Sequence, residues 1–566
     1  MKKLLASKYW WLYILIGLLA INYIASLLHF RLDLTQERRY TISTTTRNLV
    51  KQLNDQATIT VFLTGDLPAG FKKLANSTND FLRILKEYNS SDIKYSFADP
   101  EEEMPGANGR LYGDTLQSLG AIPINLTVQV KSGQQNKVVF PVALIEYKGQ
   151  IKLVNLYSGG RRVITPEEMN SAEAMMEYQF AKTFDELSST SKPFVGYFTG
   201  NGEPVDESTY AFRDALSKDY QFFTFNLPTQ PVIPDTFKIM LLVKPAISFT
   251  DAEKLKIDQY IMRGGKVIFF IDELFAEMDS LQYQARAIAY DRNLNLTDLL
   301  FKYGVRINAD LVMDLQCDFA RFAVGGTADN PQEEYLQWNY FPLFASPNNH
   351  PINRNLGLVA GRFVNSLDTI KNDIKKTILL SSSANSRILG TPVMISLNEN
   401  RNTPEDALFK SSNIPVAALL EGNFTSLYRN RLSAAQQDSL KASGMPFRES
   451  STGGKLIVVG DGDMILNDVS QKYGPLPMGL NLQTLESQYR YQFANRDFLL
   501  NCLEYLTDKP GIIEVRNKDV VLRLLDKPKV EEQRTTWQII NIAGTVLSVV
   551  LFGFIYQALR KRKYQG

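Results

Sequence analysis

The stretch Phe237–Asp272, FKIMLLVKPAISFTDAEKLKIDQYIMRGGKVIFFID, decides the fold class. Phe237 to Lys244 and Val267 to Ile271 are apolar at consecutive rather than alternate positions, so both faces of each strand must be covered. Asp251 to Arg263 between them reads as a helix, closed by Gly264-Gly265 as its C-cap. Buried strands alternating with amphipathic helices make a parallel sheet with helices on both faces.

The same pattern extends outward. Upstream lie a strand at Phe194–Thr199 ending in Gly200-Asn201-Gly202-Glu203-Pro204, a helix at Glu207–Leu216 and a strand at Gln221–Asn226. Downstream comes a helix at Asn293–Tyr303, then a stretch rich in Asn, Ser and Pro with the aromatics Trp338, Tyr340, Phe341 and Phe344. At about 150 residues it is too long for one loop and reads as an inserted subdomain with short strands such as Pro392–Leu397. The sheet resumes at Lys455–Val459, followed by Gly460-Asp461-Gly462-Asp463, and closes with the helix Asn495–Leu506. Ile512–Leu525 reads as a terminal strand pair.

A separate α/β region precedes this one. Strands at Thr58–Leu63 and Asp92–Ala98 flank the helix Phe71–Tyr88, whose Phe71, Leu74, Phe81, Leu82 and Leu85 share one face. Further strands follow at Leu126–Val130, Lys137–Phe140, Val142–Tyr147 and Gln150–Asn155, the last two joined by a Lys148-Gly149 hairpin turn. This order resembles a thioredoxin-like domain, but there is no C-x-x-C, which excludes its redox chemistry. Thr165-Pro166-Glu167-Glu168 opens a helix continuing through Ala172–Leu187, a bridge between the two regions.

Both ends of the chain read as membrane spans. Tyr9–Phe30 and Trp537–Leu559 carry no charge, and each is long enough for a helix to cross a hydrocarbon core. Lys2, Lys3 and Lys8 precede the first, and Arg560, Lys561, Arg562 and Lys563 follow the second, so both tails are expected in the cytoplasm and the body outside. A cleaved signal peptide competes for the N-terminus, but the apolar run is long and Leu27, Leu28 and Phe30 stand where small residues would permit cleavage. Arg31, Asp33, Arg38, Arg39 and Tyr40 then form a charged collar, either a connector among lipid headgroups or a docking site for a membrane partner. Ser43 is the expected N-cap of the helix that follows it.

Composition removes several function classes. With 62 Lys and Arg against 60 Asp and Glu, the net charge of +2 gives no electrostatic case for nucleic acid. His29 and His350 are the only histidines, and neither looks like a general base. Arg263-Gly264-Gly265-Lys266 and Thr452-Gly453-Gly454-Lys455 lack the rest of a Walker A motif, so ATP hydrolysis is not expected. Cys502 lies in FLLNCLEYL at helical spacing from Phe498, Leu499 and Leu506, a packed core thiol; no disulfide with Cys317, no cofactor and no metal site are expected.

One cluster carries potential chemistry. Glu203, Asp272, Asp461 and Asp463, with Glu273, all follow apolar strands, and parallel strands bring their carboxyl ends to one edge, where open α/β sheets bind ligands. The plainer alternative is that Asp and Gly end strands because they favour turns. Strand ends about 4.8 Å apart would spread the acids along the edge instead of gathering them around one ion.

The motifs together resemble the GldG family, the auxiliary membrane protein of the ABC transporter linked to gliding motility in Bacteroidetes. The matching segments are RLDLTQERRYTIS, VFLTGDLPAGFKKL, FPVALIEYKG, NSAEAMMEYQFAKTFDEL, YFTGNGEP, KIDQYIMRGGKVIFFID, VVGDGDMILND and FANRDFLLNCLEYL, covering nearly the whole chain. Family members often carry His where Asn201 stands. The second region also looks like the class I glutamine-amidotransferase-like fold; neither cysteine sits in that fold's nucleophile turn, so a non-catalytic version is implied.

The expected organisation is a cytoplasmic tail (1–8), a first span (9–30), a collar and helix (31–56), a thioredoxin-like domain (57–160), a linking helix (161–192), and an amidotransferase-like α/β domain (193–510) with a β-rich insertion at about 305–450. A juxtamembrane segment (511–536), a second span (537–559) and a basic tail (560–566) complete it. The resemblance implies a non-enzymatic accessory subunit in the bacterial inner membrane, partnered by an ABC permease, a separate ATPase and an envelope component. A binding module for a glycan, peptide or lipid fragment is the alternative, and a cryptic hydrolase or amidotransferase a remote one.

Overall fold

The computed structural model describes residues 15–19, 22, 41–65, 67–103, 111–121, 123–130, 133–157, 166–189, 191–278, 281, 286–327, 330–397, 406–442, 446–507, 511–517 and 527–564. The chain divides into two compact units, residues 1–518 and 519–566.

The first unit begins with the helix Thr44–Lys51, whose Thr46 amide donates to the Ser43 hydroxyl at 3.1 Å, the expected N-cap. A mixed sheet follows. Ala57–Val61 pairs parallel with Ile93–Phe97 and antiparallel with Val142–Tyr147, which turns into Gln150–Asn155 through Lys148 and Gly149, both at positive φ. The helix Ala69–Tyr88 buries Phe71, Leu74, Leu82 and Leu85 against it.

The linking helix Pro166–Ser188 serves two neighbours. Met176, Phe180 and Phe184 enter the core under the mixed sheet, while Tyr178 packs with Ile512 and Val515. Its Glu177 accepts from the Ser43 amide at 2.6 Å and the Thr46 hydroxyl at 2.8 Å, so the helix nearest the N-terminal collar is tied to it as well. A Cβ on Gly511 would come within 2.6 Å of the Thr45 hydroxyl oxygen. The segments Ser43–Lys51 and Gly511–Asn517 therefore meet on one helix.

The central sheet has seven strands: β1 (Phe194–Thr199), β2 (Gln221–Asn226), β3 (Phe237–Val243), β4 (Lys266–Phe270), β5 (Lys375–Ser381), β6 (Pro415–Gly422) and β7 (Gly454–Val459). Their order is β5-β6-β7-β4-β3-β1-β2, parallel from β7 to β2 and antiparallel at β6 and β5. The consecutive apolar residues divide by parity, as burial on both faces requires. Ile239, Leu241, Val243, Ile268 and Phe270 meet Phe212, Phe498, Leu499 and Cys502 on one side; Met240, Leu242, Val267 and Phe269 meet Ile257, Tyr260, Leu299 and Leu300 on the other. Truncating one such ring, as in Phe269→Ala, costs about 3–5 kcal/mol through lost transfer energy and the cavity left behind.

Strands β5 and β6 lie inside the span that the sequence assigns to an insertion, so the insertion is not one block. Its remaining strands pair in small sheets, several of them around Trp338, Tyr340, Phe341 and Phe363. The expected strand at Pro392–Leu397 is present as Val393–Ser396. The helix expected from Asn293 starts at Thr297, because Asn293 and Asn295 take positive φ. Where a terminal strand pair was expected, Ile513–Asn517 forms a 3-10 turn, and 518–526 lie outside the described residues.

In the second unit, Lys527–Tyr564 is one helix. Its Gln533–Arg562 portion, 30 residues long, contains an 18-residue stretch of mean hydropathy 2.1 with none of it buried, as a membrane-crossing helix would present itself. The first expected span lies outside the described residues except for 15–19 and 22.

Candidate functional site

Strands β1, β3, β4 and β7 deliver their carboxyl ends to one edge of the sheet. The chain steps from β1 outward to β2 and then back to β3 on the other side of β1, which makes the β1/β3 gap the topological switch point.

Three of the four acids converge. One carboxylate oxygen each from Asp272, Asp461 and Asp463 lies within 4.8 Å of the others, which overturns the expectation that they spread along the edge. Register explains it. Phe270 pairs with Val459 across β4 and β7, so Asp272 and Asp461 each stand two residues past neighbouring partners. The turn then folds Asp463 back: its amide donates to Asp461 Oδ1 at 2.8 Å, and the Gly462 amide donates to Asp272 Oδ1 at 2.5 Å.

Glu203 stands apart from them in its hydrogen bonding. Its Oε2 accepts from the Asn201 amide at 2.8 Å, and Asn201 Nδ2 donates to Glu253 Oε2 at 3.3 Å. The Asn201 carbonyl accepts from Ala246 and Ile247 at 2.9 and 2.8 Å, so this group pins the turn after β1 to the segment after β3. Burial, reinforced by Glu253, raises the Glu203 carboxyl above its usual range despite the turn's own amides.

The residue that organises the edge is Lys244, which follows β3. Its ammonium lies 2.6 Å from Asp463 Oδ1, 2.9 Å from Glu277 Oε2 and 3.6 Å from Asp272 Oδ2. Its φ of 45° is left-handed, a conformation that costs an L-residue about 1–2 kcal/mol. Gly462 makes room for the stem, since a Cβ there would sit 2.8 Å from Lys244 Cβ. Arg292 donates to Glu277 and lies 3.9 Å from Asp272 Oδ2. Arg362 gives its amide to Asp461 Oδ2 at 2.9 Å and its guanidinium to both Asp468 oxygens at 2.6 and 2.7 Å.

Burial pushes Asp272 up to about 7, outweighing the Lys244 charge, and pushes Asp461 well above the carboxylate range, with Asp272 and Asp463 adding to it. Burial works against the Lys244 charge, yet Asp463, Asp272 and Glu277 together hold its ammonium more firmly protonated than usual. Glu273 also rises to about 7, through burial and then Asp291. Oxygens this close form a donor set of the kind hard cations accept, but an ammonium from the chain already fills that role. The edge works as an ionic latch tying the ends of β3, β4 and β7.

Neither cysteine is poised as a nucleophile. Cys317 is free and buried, its thiol pushed up to about 12 by desolvation; free Cys502 is buried within the helix Asn495–Leu506 and is likewise pushed well above the usual thiol range by burial. Burial lowers His350 to about 4, so its ring is neutral. Trp338, Tyr340, Phe341 and Phe344 are core residues, between 0 and 3 % exposed. Arg31, Asp33, Arg38, Arg39, Tyr40 and His29 lie outside the described residues. Sequence reasoning missed Lys244; its one signal was a charged residue ending an apolar strand just before Pro245, where the right-handed helical region is disfavoured.

Residues 192–502, more than half of the 566-residue chain, match the family described as an ABC-type uncharacterized transport system. The chain belongs to that family. As a member of this ABC-type transport family it is an auxiliary protein of such a system, and the apolar helix Gln533–Arg562 associates it with a membrane. Residues 36–146 match a domain of unknown function. An uncharacterized protein of Borreliella burgdorferi is 21% identical over 442 residues, covering 74% of this chain and 78% of the relative. Among solved structures, the mmIFT52 N-terminal domain is similar at 16% identity and a TM-score of 0.30, covering 56% of this chain and 97% of its own. PurLQS from Thermotoga maritima is similar at 11% identity and a TM-score of 0.22, covering 56% and 100%. Likenesses at that level carry no functional argument.

Proposed function

We propose that this chain is a non-enzymatic, membrane-anchored accessory subunit of an ABC transporter, with a GldG-like role in coupling a permease to an envelope partner. Both termini are cytoplasmic in this proposal, and the α/β body is external. The carrying observation is the pairing of an α/β body that matches the transport family with a long helix whose apolar stretch is unburied. The internally neutralised acidic edge supports a scaffold rather than a catalyst, because its charges are spent on one another. The ligand-binding alternative loses its main support with the burial of the aromatic cluster.

Co-purification tests this. A tagged full-length chain extracted in detergent should retrieve a polytopic permease and a Walker A-bearing ATPase, and alone should hydrolyse no ATP. Recovery of the chain alone from mild detergent, or ATP turnover by the isolated chain, would overturn it.

A further inference from the structure

The two edges of the central sheet are built differently. At one edge, β5 opens with Lys375 and Lys376, and its pairing with β6 shifts register twice, between Ile378 and Leu380 and between Leu380 and Ser381. Charges and bulges of this kind keep an edge strand from pairing with another chain. At the other edge, β2 reads Gln221-Phe222-Phe223-Thr224-Phe225-Asn226, with no charge and no proline, and pairs with β1 in unbroken register. Among the described residues no other strand pairs with its outer side, and no side chain hydrogen-bonds the backbone of residues 222–225.

That edge is also open. Phe223 and Thr224 point to opposite faces of the sheet, yet both are exposed, so the middle of the strand is uncovered on both faces, although the helix Tyr210–Asp219 reaches Phe222 and Phe225 is buried. Phe223, 45 % exposed, stacks on Phe194 at 5.5 Å and 13°, and Phe237 lies beyond it at 6.5 Å. The strand therefore offers a row of unpaired N–H and C=O groups backed by a rigid aromatic shelf.

We propose that β2 is a strand-addition surface and that its occupant is the β2 strand of a second copy of this chain, antiparallel across a two-fold axis at Thr224. The strand is its own complement in that register. Thr224 faces Thr224 of the second copy, Phe223 faces Phe225 on both sides of the axis, and Phe222 faces Asn226. No charge opposes a like charge, and Thr–Thr and aromatic pairs are favourable across antiparallel strands. The contact is isologous, so it closes at two copies and does not propagate. It joins two seven-stranded sheets into one continuous sheet, as strand addition does in peptide recognition.

Disulfide trapping in the full-length chain in its native membrane tests this. Directly opposed antiparallel residues have Cα atoms about 4.5–5.5 Å apart, within disulfide reach. Both native cysteines are buried and do not compete. Thr224→Cys should give a reducible species of twice the mass under mild oxidation, whereas Lys441→Cys should not. Adding Phe223→Lys should abolish the species with an unchanged melting temperature, since Phe223 is half exposed. A Thr224→Cys chain that stays monomeric, or a Phe223→Lys that leaves the cross-link intact, overturns the proposal. A photo-crosslinking residue at position 224 that captures only a different protein overturns the second copy as occupant.

Discussion

Replacing Lys244 with methionine isolates the cation that holds the acidic edge together. The substitution keeps most of the stem's volume and removes only the charge. Lys244 meets three carboxylates at 2.6, 2.9 and 3.6 Å, with its side chain 12 % exposed. At an effective dielectric of about 20, two unit charges 4 Å apart interact by about 4 kcal/mol, and breaking a buried pair by deleting one partner costs about 3–5 kcal/mol. Lys244→Met should therefore lose about 3–5 kcal/mol at pH 8, where the remaining acids keep only Arg292 and Arg362 as nearby cations. The penalty should shrink on acidification. Burial raises Asp272 to about 7 and Asp461 well above the carboxylate range, so lowering the pH neutralises the repulsion that the lysine had offset. Urea denaturation followed by Trp338 fluorescence reads this out, because the other tryptophans, Trp10, Trp11 and Trp537, lie in the terminal apolar stretches. Asp463→Asn in the same chain should recover part of the loss, since the two side chains interact directly. An unchanged midpoint at pH 8, or a penalty that grows toward pH 5, would refute the latch.

Two further outcomes are expected. Glu203 has a raised carboxyl pKa, so the folded state binds the extra proton and stability falls as pH rises from the unfolded value toward the folded one. Glu203→Gln should flatten that slope and melt at or above the wild-type temperature at pH 8; a lower melting temperature at pH 8 would show that the charged form is the working one. Lys441→Cys, exposed on the helix Ala434–Ala442, should react with an impermeant maleimide in intact spheroplasts when the native cysteines are replaced, and labelling only after lysis would reverse the proposed topology.

The parallel sheet was legible because burial on both faces leaves a mark that solvent cannot imitate, the consecutive apolar residues of β3 and β4. Caps and turns were legible for local reasons: Ser43 reaches an amide three residues on, and Lys148-Gly149 takes positive φ at both positions. Strands β5 and β6 were not, since their partners lie across an insertion and nothing local in Lys375–Ser381 marks it as the edge of a distant sheet. The acids were legible as strand-end residues, but their convergence depends on the β4/β7 register, and register is a long-range quantity. Lys244 escaped because its role is set by carboxylates that arrive from β4, β7 and the segment after β4.

Consider finally the linking helix that receives both ends of the large unit. Ser43 and Thr46 are fastened to its Glu177, and Ile512 and Val515 pack on its Tyr178, so the incoming and outgoing segments leave from points one residue apart on a single rod. A pull applied at both segments is carried along that rod and its shear contacts, and it bypasses the hydrogen-bonded ladders of both sheets. The body is thus fastened at both of these segments to adjacent residues of one helix, and a load on either enters through that helix before it meets a strand.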